Sequence, residues 1–407
     1  MGHKKRNIIM NKWHEESLGS IATVVMGQSP ASSSYDAEGR GILFLQGKAD
    51  FSSDMKKIIP RQWTSEPTKI AEAGDILFTV RAPVGEVGKT DQQCCIGRGL
   101  AAIRNNEKSV QNFLFYYLQN ASDVFQRLSQ GSTFTAVNSD DVRNLTVLLP
   151  SKNEQEKIAE ILSAVDEDIE KTDAVIAKTE NLKKGLMQQL LSKGIGHTKL
   201  KKTKLGEIPE EWKVVRLADI VNIVNGKTPL RANAKFWDNG TISWFTIDDV
   251  WEQGRKINKT KQCITEKALK ETGIKLVPSG STLLCCTASI GEYAYADIPI
   301  TTNQQFNALY PKDLDKLDTV YLYYVAITLG SKLLKIRGAT TFGFVSMGTL
   351  GDFEILLPPL TEQKKISTIL SFIDEKISTT KKNKEKLHQL KKGLMTDLLS
   401  GARRIYA

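Results

Sequence analysis

The sequence predicts a mixed α+β fold: two α/β domains joined by two long helices that form an antiparallel coiled coil, with internal pseudo-two-fold symmetry. First, 24 of the 45 positions from Leu148 to Ser192 are identical to their partners 208 residues downstream, Leu356 to Ser400. Second, apolar residues in both copies recur at the 3–4 alternation of a coiled coil. Third, the segment before each copy contains strand-like runs and turn signals. A duplicated chain of this kind can fold with internal two-fold symmetry.

Length and charge limit the possible partners. The chain has 407 residues, 41% of them hydrophobic, which is enough for two or three globular domains. The net charge of +10 and the pI of about 9.1 favour a polyanionic partner, above all nucleic acid, although a basic but inert surface would give the same values.

The repeat divides the chain into four segments. Upstream of the helices the two halves share only structural punctuation, such as Trp13 with Trp212 and Gly27 with Gly226. We therefore expect variable domains on a repeated helical scaffold. The predicted boundaries are 1–150 for the first domain, 151–196 for the central helical region, 197–358 for a basic linker (197–211) and the second domain, and 359–407 for the C-terminal helical region.

Each variable domain is predicted to be mixed α/β. Apolar runs indicate strands, and amphipathic stretches followed by glycine-containing loops indicate helices. The predicted strands are Ile42–Leu45, Asp75–Val80, Ile242–Ile247 and Thr282–Thr287, and the predicted helices are Phe113–Leu128 and Thr319–Ile336. We expect Trp237, Trp244 and Trp251 to belong to the core.

The two long helices are predicted over about 154–192 and its repeat, with Asn153 and Thr361 as caps. Each is roughly 60 Å long and needs a partner to be stable in water. We expect the two to pack on each other; the alternative is that each packs only on its own domain. The predicted coiled-coil and subunit-docking positions are Ile158, Leu162, Val165, Ile169, Leu186, Ile366, Leu370, Ile373, Ile377 and Leu394. The same apolar pattern includes Val175, Leu182, Ile369 and Leu390.

Polar clusters give little sign of catalysis. We expect Asp166, Glu167, Asp168 and Glu170 to be solvated on the outer faces of a helix. The stretch from Gly85 to Thr90 looks like a phosphate loop, but Pro83 stands where the pattern needs a glycine. The sequence has no Asn/Asp-Pro-Pro-aromatic tetrad of an adenine methyltransferase and no nucleophile elbow, and the absence of such motifs argues against an enzyme.

Cysteine usage and hydropathy predict a cytoplasmic protein. The five cysteines lack C-x-x-C spacing and only four histidines are present, so no metal site is expected. The odd cysteine count fits reduced thiols. No apolar run approaches the ~20 residues of a membrane span.

The repeated motif resembles a known family. The order Leu-Leu-Pro, Glu-Gln-x-x-Ile-x-x-Ile-Leu-Ser and Lys-Lys-Gly-Leu-Met-x-x-Leu-Leu-Ser occurs twice, from Leu148 and from Leu356. It resembles the conserved helical regions of the DNA-sequence specificity subunits of Type I restriction-modification systems. Gly206–Trp212 and the turn Gly226–Pro229 look like the start of that family's second recognition domain. The first half departs from the pattern, because Gly97-Arg98-Gly99 stands where the second half has Asn303-Gln304-Gln305.

The resemblance implies a non-catalytic DNA-binding subunit. Each domain would be a target-recognition domain reading one half of a bipartite site in double-stranded DNA, and the helices would act as spacer and docking surface. The implied partners are modification (methyltransferase) subunits, two in number, and restriction subunits. No cofactor would bind this chain; S-adenosylmethionine, ATP and Mg would belong to the partner subunits.

Base readout requires Arg, Lys, Asn or Gln side chains, and phosphate contacts require basic or hydroxyl groups. Surface arginines are common, and Asn303 or Gln304 would equally serve to satisfy a turn backbone. The predicted DNA-binding residues are Arg81, Arg98, Arg127, Gln130, Ser132, Thr133, Lys227, Arg231, Lys235, Asn303, Gln304, Arg337, Thr340 and Thr341.

Two other functions remain open at this point. A stand-alone DNA-binding regulator or architectural protein with a coiled-coil spacer would bind its site tightly by itself. A nuclease or methyltransferase with unrecognised motifs would turn over as a single chain.

Overall fold

The computed structural model describes residues 13–52, 55, 57–130, 137–287, 289–337 and 345–405, without the side chains of 123–130 and 335–337. The chain divides into two compact units. The first contains residues 1–175 and 380–407, and the second contains residues 176–379. Each unit therefore combines one variable domain with a part of each long helix.

The first domain alternates short strands with a few helices. In chain order these are β1 (His14–Ser17), α1 (Leu18–Ile21), β2 (Ala22–Met26), β3 (Tyr35–Asp36), β4 (Ile42–Leu45), β5 (Trp63–Thr64), β6 (Ile70–Ala71), β7 (Ile76–Thr79), β8 (Val87–Lys89), β9 (Cys94–Ile96), β10 (Leu100–Asn105), α2 (Gln111–Gln130), α3 (Ser139–Arg143), β11 (Thr146–Leu149) and the long helix α4 (Lys152–Lys193).

Two larger sheets contain most strands of this domain. One has the antiparallel order β2-β10-β7-β8, and the other has the order β3-β5-β4-β9-β6, in which β4 and β9 run parallel. Strand β7 is buried along its whole length, which explains why its sequence is a continuous apolar run ending in a threonine. Strands β1 and β11 pair antiparallel, with His14 opposite Leu149. This pairing fixes the start of the domain beside the chain that leads into α4.

The second domain follows the same plan. Its elements are β12 (Leu200–Thr203), β13 (Gly206–Pro209), β14 (Lys213–Arg216), α5 (Leu217–Ile220), β15 (Val221–Asn225), β16 (Ile242–Phe245), α6 (Ile247–Gln253), β17 (Lys256–Ile257), β18 (Gln262–Ile264), α7 (Glu266–Thr272), β19 (Thr282–Cys285), β20 (Tyr293–Ala296), β21 (Thr301–Thr302), β22 (Phe306–Pro311), α8 (Thr319–Arg337), α9 (Met347–Gly351), β23 (Glu354–Leu357) and α10 (Leu360–Leu399).

Its sheets correspond to those of the first domain. The order β15-β22-β19-β20-β17 matches the first antiparallel sheet with one strand added, and in the order β18-β16-β21 the strands β16 and β21 run parallel. The predicted strand 242–247 is too long, because Thr246 caps helix α6. The segment 197–211, predicted as a linker, contains the hairpin β12–β13, whose Ile208 and Pro209 are buried.

The long helices pack against each other in opposite directions. In the first unit Asp166 pairs with Lys391 at 2.8 Å and Asp173 pairs with Lys384 at 2.6 Å, so one residue number rises as the other falls. In the second unit Lys183 pairs with Asp374 at 2.5 Å. The prediction of an antiparallel helix pair is confirmed.

The first unit's core takes residues from both helices. Ile158 and Leu162 of α4 lie in one buried cluster with Leu398 and Leu399 of α10 and with Phe113 of the first domain. In the second unit Leu190 of α4 shares a cluster with Ile366 and Leu370 of α10. The alternative in which each helix packs only on its own domain is therefore wrong.

Four residues of the predicted apolar pattern are exposed: Val175, Leu182, Ile369 and Leu390, at 45%, 55%, 37% and 51%. The reason is the helical period. The inward positions of α4 recur every seven residues and include Leu162, Ile169, Ile176 and Leu190. In that series Lys183 faces inward at 17% side-chain exposure, so its neighbour Leu182 faces outward. Lys391 holds the equivalent place in α10, at 12% exposure, and excludes Leu390.

The expectation that Asp166 is solvated is also wrong. Its carboxylate accepts hydrogen bonds from Lys391 at 2.8 and 2.9 Å and from the Tyr116 hydroxyl at 2.9 Å. The repeat places Asp374 in the same way beside Lys183 and Tyr324. Each aspartate thus connects its own domain to both long helices.

Candidate nucleic-acid interface

The two domains present equivalent loops at the end of a parallel strand pair. In the first domain Phe44 of β4 pairs with Cys95 of β9, and the loop 97–99 follows. In the second domain Trp244 of β16 pairs with Thr301 of β21, and the loop 303–305 follows. The backbone N–H of Gly97 donates to the Leu45 carbonyl at 2.7 Å, and that of Asn303 donates to the Phe245 carbonyl at 3.1 Å.

A glycine turn lies against each loop. A Cβ atom on Gly27 would come within 2.1 Å of the Gly97 carbonyl oxygen, and one on Gly226 within 2.0 Å of the Asn303 carbonyl oxygen. These approaches exclude any side chain at either glycine without a backbone shift. They explain why Gly27 and Gly226 persist although the residues around them differ between the halves.

The loop of the first domain borders a polar cleft of about 320 Å³. Arg81 and Arg98 are both exposed and line it together. Among the described residues, neither guanidinium group has a hydrogen-bond or ion-pair partner, whereas Lys48 in the same cleft pairs with Glu86. The remaining lining residues are Ser29, Gln46, Gly47, Ala82 and Gly99. The cleft therefore offers two unneutralised cations to a ligand.

The equivalent loop of the second domain is uncharged. Gln304 is exposed, and its amide oxygen accepts a hydrogen bond from the Thr228 hydroxyl. Asn303 is 9% exposed, and its amide group bonds to the backbone and side chain of Gln305. Its observed geometry is that of a residue which satisfies a turn. Lys227 is exposed, with its ammonium 3.5 Å from the Thr272 carbonyl oxygen.

An arginine stacked on tryptophan lies elsewhere in the second domain. The guanidinium carbon of Arg231 lies 4.0 Å from the ring centroid of Trp237 and 4.6 Å from that of Trp244. A nitrogen of Arg231 donates to Gln262 at 2.5 Å. Stacking and this hydrogen bond hold the group in place, so it can meet a ligand without losing much side-chain freedom. Lys235 is exposed nearby on the same segment.

Several predicted residues cannot be placed. Three of them lie in α2 and α8, but their side chains are outside the described part of the chain: Arg127, Gln130 and Arg337. Four others lie wholly outside it: Ser132, Thr133, Thr340 and Thr341. Their role stays a prediction. Trp244 is buried at 2% exposure as expected, but the expectation that Trp251 belongs to the core is wrong, because Trp251 is 70% exposed on α6.

Sequence reasoning missed three residues of the first cleft: Ser29, Gln46 and Lys48. The available signal was the turn Gly27-Gln28-Ser29-Pro30, whose counterpart in the second half is Gly-Lys-Thr-Pro. Gln46 and Lys48 follow a strand without any motif and are brought to the cleft only by the fold.

The predicted docking positions on the helices are inward-facing. Ile158, Leu162, Ile169, Ile366, Leu370, Ile373 and Ile377 are buried, and Val165, Leu186 and Leu394 are half-buried. Their side chains hold the helices to each other and to the domains, and a role in binding other subunits stays a prediction.

Other chemistry is sparse in the part of the chain that the structure describes. No group of three or more His, Cys, Asp or Glu residues is placed to hold a metal ion there. Burial raises the pKa of the Cys94 and Cys286 thiols to about 11, so both stay protonated at neutral pH. None of the helices within the described ranges has the length and apolarity needed to cross a membrane.

The repeated fold agrees with the family comparison. The profile of the Type I restriction modification DNA specificity domain matches residues 10–179 and again residues 209–389. Because these two matches cover most of the chain, the protein belongs to this family.

Named relatives support the assignment. The specificity subunit of the Type I restriction enzyme MjaVIII from Methanocaldococcus jannaschii is 30% identical over 303 residues, covering 72% of this chain and 70% of that protein. The MjaIX specificity subunit from the same organism is 36% identical over 194 residues, covering 47% of this chain and 45% of that protein. The putative MjaX specificity subunit of that organism is 40% identical over 187 residues, covering 45% of this chain and 44% of that protein. The match to this chain thus spans under half the length of the MjaX and MjaIX subunits.

Solved structures share the fold. A Type I restriction-modification S subunit from M. genitalium matches with a TM-score of 0.62 and 18% identity, over 97% of this chain and 98% of that one. A chain from a structure of Type I system assembly and conformational transition matches with a TM-score of 0.62 and 20% identity, over 96% and 98%. At these identities the likeness concerns the fold alone.

Proposed function

We propose that this chain is the DNA-binding specificity subunit of a Type I restriction-modification complex, in which each domain reads one half of a bipartite target. The observation that carries the proposal is the pair of equivalent loops with different side chains, Gly97–Gly99 and Asn303–Gln305, on one repeated scaffold. A single geometry that presents two different surfaces suits an asymmetric site with two half-sites.

The charges agree with this function. A net charge of +10 favours attraction to phosphates, which would supply affinity without sequence preference. The cleft with Arg81 and Arg98 and the stacked Arg231 supply donors for base edges or phosphates. The antiparallel helices join the two reading surfaces and act as the spacer between half-sites.

The chemistry would belong to other subunits. Two modification subunits would dock on the repeated helical regions, bind S-adenosylmethionine and methylate adenines, and restriction subunits would supply ATP- and Mg-dependent cleavage. This chain would be non-catalytic. The helical regions share 24 of 45 positions between the halves, far more than the variable domains do, and this supports two equivalent docking surfaces.

The test is a methylation map. The chain is expressed with its cognate modification subunit in a host that lacks adenine methylation, and modified adenines are located by single-molecule sequencing. We expect a split motif with two defined halves and a fixed gap, which disappears when this chain is omitted. Good expression of both subunits without such a motif would overturn the proposal.

Binding by the isolated chain tests the alternative of a stand-alone regulator. We expect the purified chain to prefer the mapped site only weakly over a scrambled duplex, and the complex with modification subunits to prefer it strongly. Equal, tight and specific binding by the chain alone would favour the regulator.

A further inference from the structure

We infer that residues 98 and 304 are the equivalent base-reading positions of the two domains, with Arg98 reading a guanine in one half-site and Gln304 reading an adenine in the other. The inference rests on the proposed function and deepens it, because it states which positions distinguish the two half-sites and in what chemical terms.

The equivalence of these positions follows from backbone contacts rather than from sequence similarity. Leu45 of β4 lies opposite Ile96 of β9, and Phe245 of β16 lies opposite Thr302 of β21. Residue 98 is therefore two residues beyond the parallel pair in the first domain, and residue 304 is two residues beyond it in the second.

Two further hydrogen bonds fix each loop from its other sides. The N–H groups of Gln28 and Lys227 donate at 2.9 Å to the carbonyls of Ile96 and Thr302, respectively. The N–H groups of Val80 and Cys286 donate at 3.0 Å to the carbonyls of Gly99 and Gln305, respectively. Both loops are thus clamped between the same three backbone segments, and the central position is the one whose side chain is exposed in both loops.

The hydroxyl of the preceding turn also contacts each position. The N–H of Arg98 lies 3.5 Å from the Ser29 hydroxyl oxygen, and the Thr228 hydroxyl donates to the Gln304 amide oxygen. The Ser29 contact involves only the backbone of Arg98, so the whole guanidinium group stays available. The Thr228 contact orients the Gln304 amide, whose NH₂ group remains a donor and whose oxygen can accept a further hydrogen bond.

The chemistry of the two side chains differs in a way that selects bases. An arginine can donate two parallel hydrogen bonds to the O6 and N7 acceptors of guanine, and a glutamine can pair its donor and acceptor with N7 and N6 of adenine. Val80 and Cys286 make the same contact with their loops, so the residues that follow them, Arg81 and Thr287, are equivalent. Arg81 lines the same cleft as Arg98, whereas Thr287 is uncharged. At these two pairs of equivalent positions the first domain therefore presents two cations, and the second presents an amide and a hydroxyl.

The experiment uses the complex of this chain with its modification subunit, mapped as above for the wild type, Arg98→Gln and Gln304→Arg. We expect Arg98→Gln to change one guanine position in one half of the motif and to lower methylation of the original site roughly 5- to 150-fold. Gln304→Arg should change one adenine position in the other half. Each unaffected half serves as the internal control for folding and assembly.

Arg61→Gln is the matched control, because Arg61 is exposed in the same domain and its replacement removes the same charge outside the cleft. It should leave both halves unchanged, and Arg98→Ala should abolish the guanine preference. The inference is overturned if the wild type gives a bipartite motif that both Arg98 variants leave intact, or if they weaken both halves equally. A wild-type complex with no bipartite motif instead overturns the proposed function itself.

Discussion

At the scale of single residues, one glutamate in each unit holds the junction between the domain and the long helices. Glu154 accepts hydrogen bonds from the Trp13 indole at 3.2 Å and from Arg404 at 2.8 and 2.9 Å. Its repeat, Glu362, accepts from the Trp212 indole at 2.8 Å and lies 2.8 Å from His197. The acceptor and the tryptophan are repeated, whereas the third partner is an arginine in one unit and a histidine in the other.

The arginine makes the first junction sensitive to acid. Burial raises the pKa of Glu154, but hydrogen bonds from Arg404 and Ile405 outweigh burial and hold the pKa below its ordinary value of 4.5. Because the folded-state pKa is lowered, the stabilisation is complete above about pH 4.5 and is lost as the pH falls below it through the folded-state pKa. We expect Glu154→Gln to lower the free energy of unfolding at pH 7 by about 1–3 kcal/mol.

Chemical denaturation between pH 3 and 7 measures both effects. The cost of Glu154→Gln should shrink as the pH falls below 4.5. Glu156→Gln, at an exposed position two residues along the same helix, is the control and should change stability by less than about 0.5 kcal/mol. A cost for Glu154→Gln that does not vary with pH would contradict this account.

The glycine turns allow a second prediction. Gly27→Ala places a Cβ atom 2.1 Å from the Gly97 carbonyl oxygen, so the backbone must move and the first reading loop with it. We expect the free energy of unfolding to fall by about 1–3 kcal/mol, and recognition to be lost in one half of the methylation motif only. Gly226→Ala should do the same to the other half.

Gly185→Ala is the matched control. Gly185 lies within α4, and apart from the local helix backbone no atom of the described residues lies within 4 Å of the place that an alanine Cβ would take there. Alanine should therefore stabilise the helix by about 0.5–1 kcal/mol. Thermal melting separates the three variants. Equal stability of Gly27→Ala and Gly185→Ala would show that the close approach at Gly27 has no energetic consequence.

At the scale of elements, the long helices are held by charges at positions that a purely apolar coiled coil would fill with leucine. Lys391 lies over the Tyr116 ring, 5.2 Å from its centroid, while it pairs with Asp166. Lys183 and Tyr324 repeat the arrangement at 5.7 Å. Inward polar groups of this type specify register, because a shifted pairing would bury each charge without its partner.

A charge-reversal cycle tests this role. Asp166→Lys and Lys391→Asp should each destabilise the first unit by about 2 kcal/mol or more, and the double variant should recover at least half of the combined loss. The exposed pair Glu167–Lys171, on the outer face of α4, is the control and should show a coupling of about 0–0.5 kcal/mol. Urea denaturation measures the free energies of unfolding. A double variant whose loss of stability equals or exceeds the sum of the two single losses would contradict the pairing.

The helices also show what a sequence can predict. The apolar period predicted both long helices, because helix formation depends on local spacing. Their antiparallel pairing was predicted from the duplication, since sequential domains at opposite ends of the helix pair require it. The pattern failed at Leu182 and Leu390, where a lysine one residue later takes the inward position by reaching an aspartate of the other helix. That choice depends on a partner distant in the chain. The same reason kept Gln46 and Lys48 out of the predicted site, since only the fold brings them beside Arg98.

At the scale of the whole molecule, each compact unit is assembled from distant parts of the chain. The first unit needs residues 380–407, which follow its domain by more than 200 positions. Met395, Leu398 and Leu399 are buried in its core, and Arg404 supplies the cation for Glu154. The C-terminal segment is thus a structural part of the N-terminal domain.

Deletion of residues 380–407 should therefore unfold the first unit while sparing the second, which lies within 176–379. Removing three buried apolar side chains alone costs several kcal/mol, comparable to the whole stability of a domain. Hydrogen exchange with peptide resolution should show lost protection in β7 and β10 of the first domain and retained protection in β19 and β22 of the second. A milder variant, Leu398→Ala, should lower protection in the first unit by about 2–5 kcal/mol without abolishing it. Retained protection of β7 and β10 in the deleted chain would show that the first domain folds without α10.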